Sequence, residues 1–194
     1  VLRAHPNADL WSSVEVGHPL ANIRPVHACI AGQKWAWDGV QFEMLHPLLS
    51  DYSKLAGANG LSCVLRVDAS QMAQSNMALD RNLGSALLAG DIEAPQESAL
   101  LQGLALQPVG VLLVPHHGSQ TSSTTGFIEA LMPQWAVVQA GYRNRYGHPA
   151  PRVVQRYESL GVPLSISSEC GAAHWQSNKP EQLHCEREVR RRYW

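Results

Sequence analysis

Four short apolar runs, at residues 85–89, 111–114, 135–139 and 163–167, punctuate the second half of the chain, and stretches of helical periodicity fill the gaps between them. Runs of this length are too short for buried helices and read as buried strands. The first gap carries apolar positions at helical spacing over residues 94–102, with Pro95 in its first turn and Gly103 as a stop. The second offers Ser122 or Ser123 as a cap for a helix through Phe127, Ile128 and Leu131, ended by Pro133. The third reads as a helix over 151–160 closed by Gly161. Strand and helix alternate, which is the signature of an α/β fold built on a layered sheet.

The first half has a different rhythm. Residues 10–16 and 25–30 read as short strands, and residues 34–45 as a hairpin turning at Asp38-Gly39. Trp35 and Trp37 alternate with Lys34 and Ala36, which puts both rings on one side as packing. A polar loop over 48–60 precedes a strand at 61–67, residues 70–82 read as an exposed hairpin insertion, and a last strand at 171–176 carries His174. His46, before Pro47, reads as a loop histidine.

With 194 residues, 45% of them hydrophobic and 16% charged, the chain can bury a real core, and disordered or collagen-like classes are excluded. The net charge of -1 provides no global basic field, so nucleic acid would have to meet a local patch. The one dense basic run, residues 187–192, lies beside Glu186 and Glu188 and reads as a solvated final turn. No apolar run approaches the roughly 18–20 residues that span a bilayer. Four cysteines without a CxxC spacing exclude zinc-finger and thioredoxin-like motifs; they read as small buried residues, with a Cys170–Cys185 disulfide open to them in an oxidising compartment. The opening residues 1–6, without an initiator Met or signal peptide, read as the last turn of a helix and suggest a piece of a longer protein.

Chemistry gathers where the apolar runs stop. One run ends on Gly90-Asp91, and a carboxylate released there by a glycine can bind a cation or make a turn. The next ends on Pro115-His116-His117-Gly118-Ser119, two imidazoles that can serve as metal ligands, carry protons or simply hydrogen-bond at a loop start. The third enters residues 140–149, with Tyr142, Arg143, Arg145 and Tyr146 ahead of His148. Open α/β sheets place ligands at the carboxyl ends of their strands, and a mixed carboxylate–imidazole set suits borderline dications.

At this point the chain resembles a family. Leu87-Leu88-Ala89-Gly90-Asp91-Ile92-Glu93, Leu113-Val114-Pro115-His116-His117-Gly118-Ser119 followed by Thr121-Ser122-Ser123, Asn144-Arg145-Tyr146-Gly147-His148-Pro149 and Glu169-Cys170-Gly171-Ala172 look like the C-terminal metallo-β-lactamase-like domain of ComEC-type DNA internalisation (competence) proteins. The stretch Asn59-Gly60-Leu61-Ser62-Cys63-Val64-Leu65-Arg66 is similar to the family's strand ahead of Gly-Asp. The likeness covers residues 1–176 and leaves 177–194 as a C-terminal tail. It implies an αββα metallo-β-lactamase-like sandwich, here N-terminally truncated, with zinc or manganese held between loops at one edge.

On that resemblance Asp91 would bridge the metals, His116 and His148 would close the site, His117 would orient or back up a ligand, and Asp91 with His116 would be the catalytic pair. Water activated by the metals would attack phosphorus. Arg143, Asn144, Arg145 and Tyr146, with Tyr142, would meet single- or double-stranded DNA, while the membrane channel of the same parent protein would be the other partner. The domain would then stand on the periplasmic side of the cytoplasmic membrane. The family's first metal motif, His-x-His-x-Asp-His, has no counterpart here, and His5, His18 and His27 do not supply it. This chain alone is therefore expected to be inactive and to bind metal poorly, since roughly two or three donors seldom hold a dication against water. Two rivals share the same sequence features: a non-catalytic DNA-guiding domain of the uptake machinery, and another metallo-β-lactamase-like hydrolase acting on small esters or lactams.

Overall fold

The computed structural model describes residues 3–14, 17–54, 57–69, 83–103 and 106–190. Strands β1 (Leu10–Ser12) and β2 (Val26–Ala28) pair in parallel as a small sheet. A seven-stranded sheet begins with β3 (Lys34–Trp37), β4 (Val40–His46), β5 (Val64–Asp68) and β6 (Ser85–Leu88), all antiparallel neighbours. It continues through α1 (Ala94–Gly103), β7 (Val111–Leu113), α2 (Thr125–Leu131), β8 (Trp135–Val138), α3 (Pro151–Ser159) and β9 (Leu164–Ile166), with β6 to β9 parallel. The chain then makes α4 (Ser167–Cys170), a hairpin of β10 (Ala173–Trp175) and β11 (Leu183–Cys185), and α5 (Glu186–Val189). The expected α/β class is observed, here built on one large mixed sheet.

Strand order in the sheet follows chain order. Right-handed crossovers between successive parallel strands therefore put α1, α2 and α3 on the same face. Register pairs Leu87 with Leu112 and Leu112 with Ala136, and all three are fully buried. With Val114 and Val138 they pack on Leu100, Phe127, Ile128, Leu131, Val153 and Tyr157 from the helices, which is the core. The opposite face carries Trp35, Phe42, Val67, Ala86, Val111 and Trp135 in one register row. One end of that row is covered by Trp11 of β1, whose ring stacks on Trp35 at 5.7 Å, and Trp35 stacks on Phe42 at 5.2 Å. At the other end Trp135 and Trp175 both donate their indole N–H to the Pro180 carbonyl. Trp37 is 67% exposed, so of the two hairpin tryptophans only Trp35 is packed as expected.

Elsewhere the local chemistry moves some expected boundaries. The turn of the first hairpin forms at Asp38 and Gly39, both at positive φ, as the twist of paired strands demands. Helix α2 starts from Thr124, not from Ser122 or Ser123. The cause is Glu97, a fully buried carboxylate on α1 that accepts the amides of Ser123 at 2.5 Å and Thr124 at 2.7 Å. Those two donors are taken before the helix can begin. The expected loop at 48–60 holds the 3₁₀ turn Leu49–Ser53 and most of a second, Ala58–Leu61; of the expected helix end at residues 1–6, residues 1–2 lie outside the described residues and Arg3, Ala4 and Pro6 are in turns. The hairpin expected at residues 70–82 lies outside the described residues. Cys170–Cys185 is a disulfide, as was open to it, and so is Cys29–Cys63, a pairing the reading of these cysteines as small buried residues did not include.

Candidate metal and nucleic-acid site

Three loops leave the carboxyl ends of β6, β7 and β8, and backbone contacts fasten them together. Gly90 has φ +58°, and a methyl group there would come within 3.1 Å of Ser62 Cβ and 3.2 Å of the Cys63 carbonyl, so left-handed backbone and a tight approach both favour glycine. The amide of Asp91 donates to Ser62 Oγ at 3.1 Å, and the amide of His116 donates to the Gly90 carbonyl at 3.0 Å. His116, His117 and Gly118 follow one another at φ 48°, 55° and 80°. Left-handed backbone at two histidines costs about 1–2 kcal/mol each, strain of the kind that collects where side chains must be aimed. Gly118 lets the third loop close in, since a methyl group on it would lie 2.7 Å from Pro149 Cβ.

The two adjacent imidazoles face different partners. His117 donates from Nδ1 to the Gln139 carbonyl at 2.7 Å, which leaves Nε2 directed at Asp91 Oδ1, 3.5 Å away. A backbone carbonyl behind one ring nitrogen is how metal-binding histidines are commonly oriented. His116 instead sets Nδ1 3.2 Å from Glu93 Oε1, with Nε2 3.5 Å from Asn59 Nδ2. The same Glu93 oxygen accepts from Thr121 Oγ1 at 3.0 Å and Asn59 Nδ2 at 3.4 Å. His148 lies 5.9 Å from His116, ring to ring. Its Nδ1 is buried and meets no hydrogen-bond partner among the described residues. Burial first, then the neighbouring His116 and His117, hold its pKa below the usual imidazole value, which favours the uncharged ring, with one nitrogen carrying the proton and the other a lone pair.

The structure thus brings Asp91, His116, His117 and His148 to one edge. Asp91 Oδ1, His117 Nε2 and the unpartnered His148 Nδ1 are the right donor chemistry for a borderline dication. Among the described residues, however, no three His, Cys, Asp or Glu side chains stand close enough to form a ready metal cage. The fit is therefore that of a partial donor set. Glu93, Asn59, Ser62 and Thr121 also belong to the site and were not anticipated. Glu93 was visible two residues after Asp91, but nothing periodic marked Asn59 or Ser62.

Beside these groups, a cleft of about 200 Å³ opens between His117, Gln139, Tyr146 and His148. Tyr142 and Tyr146 are 74% and 65% exposed, and the guanidinium groups of Arg143 and Arg145 lie over their rings at 5.1 and 4.7 Å. The ring of Tyr146 stacks on His148 at 5.7 Å. Asn144 is committed to the loop itself, accepting the His148 amide at 3.0 Å and donating to the carbonyls of Gly141 and His148. Two arginines and two tyrosines are thereby presented to solvent on a loop that its own asparagine holds in shape.

No family model matches the chain. It is 38% identical over 144 residues to "Competence protein ComA" of Neisseria gonorrhoeae, covering 73% of this chain and 18% of that protein. It is 34% identical over 137 residues to "ComE operon protein 3" of Bacillus subtilis, covering 71% of this chain and 16% of that one. With "Recombination protein 2" of Haemophilus influenzae the identity is 31% over 173 residues, 87% of this chain and 19% of the relative. The chain spans less than a fifth of the length of these relatives. The matches run through most of a chain whose strand ends carry the expected histidines and aspartate, and it belongs to the ComEC-type family of competence proteins.

Proposed function

We propose that this chain is a metallo-β-lactamase-like domain of a DNA-uptake protein and that its sheet edge takes part in metal-dependent phosphodiester hydrolysis of incoming DNA. The observation that carries the reading is the Asp91–His117 corner, with the free Nδ1 of His148 nearby and the exposed Tyr–Arg loop alongside. Asp91, His117 and His148 would hold zinc or manganese, with His116 braced by Glu93. A dication held there would polarise phosphoryl oxygens and lower the pKa of water. The chain's own groups do the rest: Arg143 and Arg145 neutralise phosphates, and Tyr142 and Tyr146 offer ring faces on which unpaired bases stack. Two disulfides support a periplasmic setting beside the membrane channel of the parent, because such bonds persist in oxidising compartments. Among the described residues no helix is long and apolar enough to cross a membrane.

A second reading, a DNA-guiding domain without hydrolysis, is favoured by the absence of a ready three-donor cage among the described residues. One assay separates the two. Single-stranded DNA is incubated with zinc or manganese and either the 194-residue chain or the longest polypeptide its gene encodes, each as wild type and as Asp91→Ala. The hydrolase reading expects cleavage by the long form and a loss of about 100-fold or more in the variant, the scale of removing a group that stabilises the transition state. Cleavage undiminished in Asp91→Ala overturns the role of Asp91. DNA binding without cleavage by the metal-loaded long form establishes the guiding domain.

A further inference from the structure

We propose that the Cys29–Cys63 disulfide is a positioning device for Asp91, holding the turn that carries this carboxylate in place. The inference rests on the reading of Asp91 as a site residue. Residues 58–63 lie ahead of β5 and outside its ladder, yet they form the wall against which the Asp91 turn is built. Ser62 Oγ accepts the Asp91 amide, Gly90 packs tightly against Ser62 and Cys63, where a methyl group would meet Ser62 Cβ at 3.1 Å and the Cys63 carbonyl at 3.2 Å, and Asn59 reaches Glu93 and His116. If that wall shifts, Asp91 and the braced His116 shift with it.

What fixes the wall is a short list of bonds. His46 donates from Nδ1 to the Ser62 carbonyl at 2.9 Å. The covalent anchor is Cys63 to Cys29, a link across 34 residues. Cys29 is 1% exposed, and its carbonyl accepts the Tyr52 hydroxyl at 2.8 Å. Just beyond it the amides of Ala31 and Gly32 donate to the carbonyls of Pro47 and Met44 at 2.7 and 2.8 Å, which ties this segment to the end of β4. The disulfide therefore transmits the rigidity of β4 to the wall of the site. The Cys170–Cys185 bond lies instead at the β10–β11 hairpin and serves as an internal control.

The test is amide hydrogen exchange, which needs neither metal nor DNA and so stands apart from whether the domain cleaves anything. The Asp91 and His116 amides are compared with that of Val114, which is bonded to the Val137 carbonyl at 2.9 Å in the central sheet. In Cys29→Ala/Cys63→Ala, exchange at Asp91 is expected to rise roughly tenfold or more relative to Val114, as local opening without global unfolding predicts. Cys170→Ala/Cys185→Ala is expected to leave the Asp91 to Val114 ratio unchanged. A ratio unaltered in the first variant overturns the proposal. So does an unfolded variant in which Asp91 and Val114 exchange together, because the bond would then hold the whole fold rather than the turn.

Discussion

Gly118 is the residue on which the meeting of the second and third site loops depends. A methyl group there meets Pro149 Cβ at 2.7 Å and Pro149 Cα at 3.0 Å, and one of those atoms is backbone that cannot swing aside. Its φ of +80° adds the usual left-handed penalty. Gly118→Ala should cost about 2–4 kcal/mol, overpacking added to backbone strain. Gly147 supplies the comparison: its φ is +67°, but a methyl group on it meets nothing within 4 Å, so Gly147→Ala should cost only about 1 kcal/mol. Urea denaturation of the two variants measures the difference, and equal losses would mean that the Pro149 contact is not what requires glycine. At this scale the sequence exposed Asp91, His116 and His117, because they stand within three residues of the end of an apolar run, and His148, because it closes the loop that the third run enters. It did not expose Ser62, Asn59 or the turning of His116 toward Glu93. Those contacts join residues tens of positions apart and leave no local pattern.

The start of α2 is where element-level reading and structure part. Two serines in a row are good caps by composition, yet buried Glu97 takes the amides of Ser123 and Thr124, and the guanidinium of Arg156 bonds the carbonyls of Ser122 and Ser123. Tyr157 of α3 completes the knot, donating its hydroxyl to Ser123 Oγ at 3.3 Å. The helices and strands themselves were legible, since periodicity is local; their junctions were not, since a charge on another helix decides them. Burial, with the Glu97 carboxylate nearby, raises the Tyr157 phenol well above its ordinary value, while the bond to Ser123 opposes this only in part. A raised folded-state pKa means that, above the unfolded value of about 10, the folded protein holds a proton the unfolded chain has lost. Stability is therefore intact below pH 10 and falls above it, by up to about 1.4 kcal/mol per pH unit from this group. Tyr157→Phe should lower stability at neutral pH and flatten that alkaline decline. Thermal melts between pH 8 and 11 read both effects, and an equally steep decline in the variant would assign it to other groups.

For the whole molecule the two faces of the large sheet are unequal. One is sealed by α1, α2 and α3; the other presents Leu65, Leu88, Leu113 and Val137 in a register row at the end nearest the site, with Leu88 39% exposed. Sheets with parallel strands are normally covered on both faces. A sandwich of two sheets, as proposed, would lay its second sheet on this row, and the same placement would bring further donors to the edge where Asp91, His117 and His148 form only part of a cage. The class of fold was readable from alternating runs, but which face α1, α2 and α3 cover was not, because that follows from the hand of the crossovers and the order of the strands. In the 194-residue chain an apolar dye such as anilinonaphthalene sulfonate should bind this face. Leu88→Ser should weaken that binding while changing stability by only about 0.5 kcal/mol, as a partly exposed position allows. In a longer polypeptide that carries the second sheet, wild type and Leu88→Ser should both bind little dye, and the substitution should instead destabilise by about 2 kcal/mol, because it then places a hydroxyl in a buried seam. Dye titration with chemical denaturation of all four proteins reads both quantities. Equal dye binding by the two forms of the short chain would mean that this row is not the exposed surface the register implies.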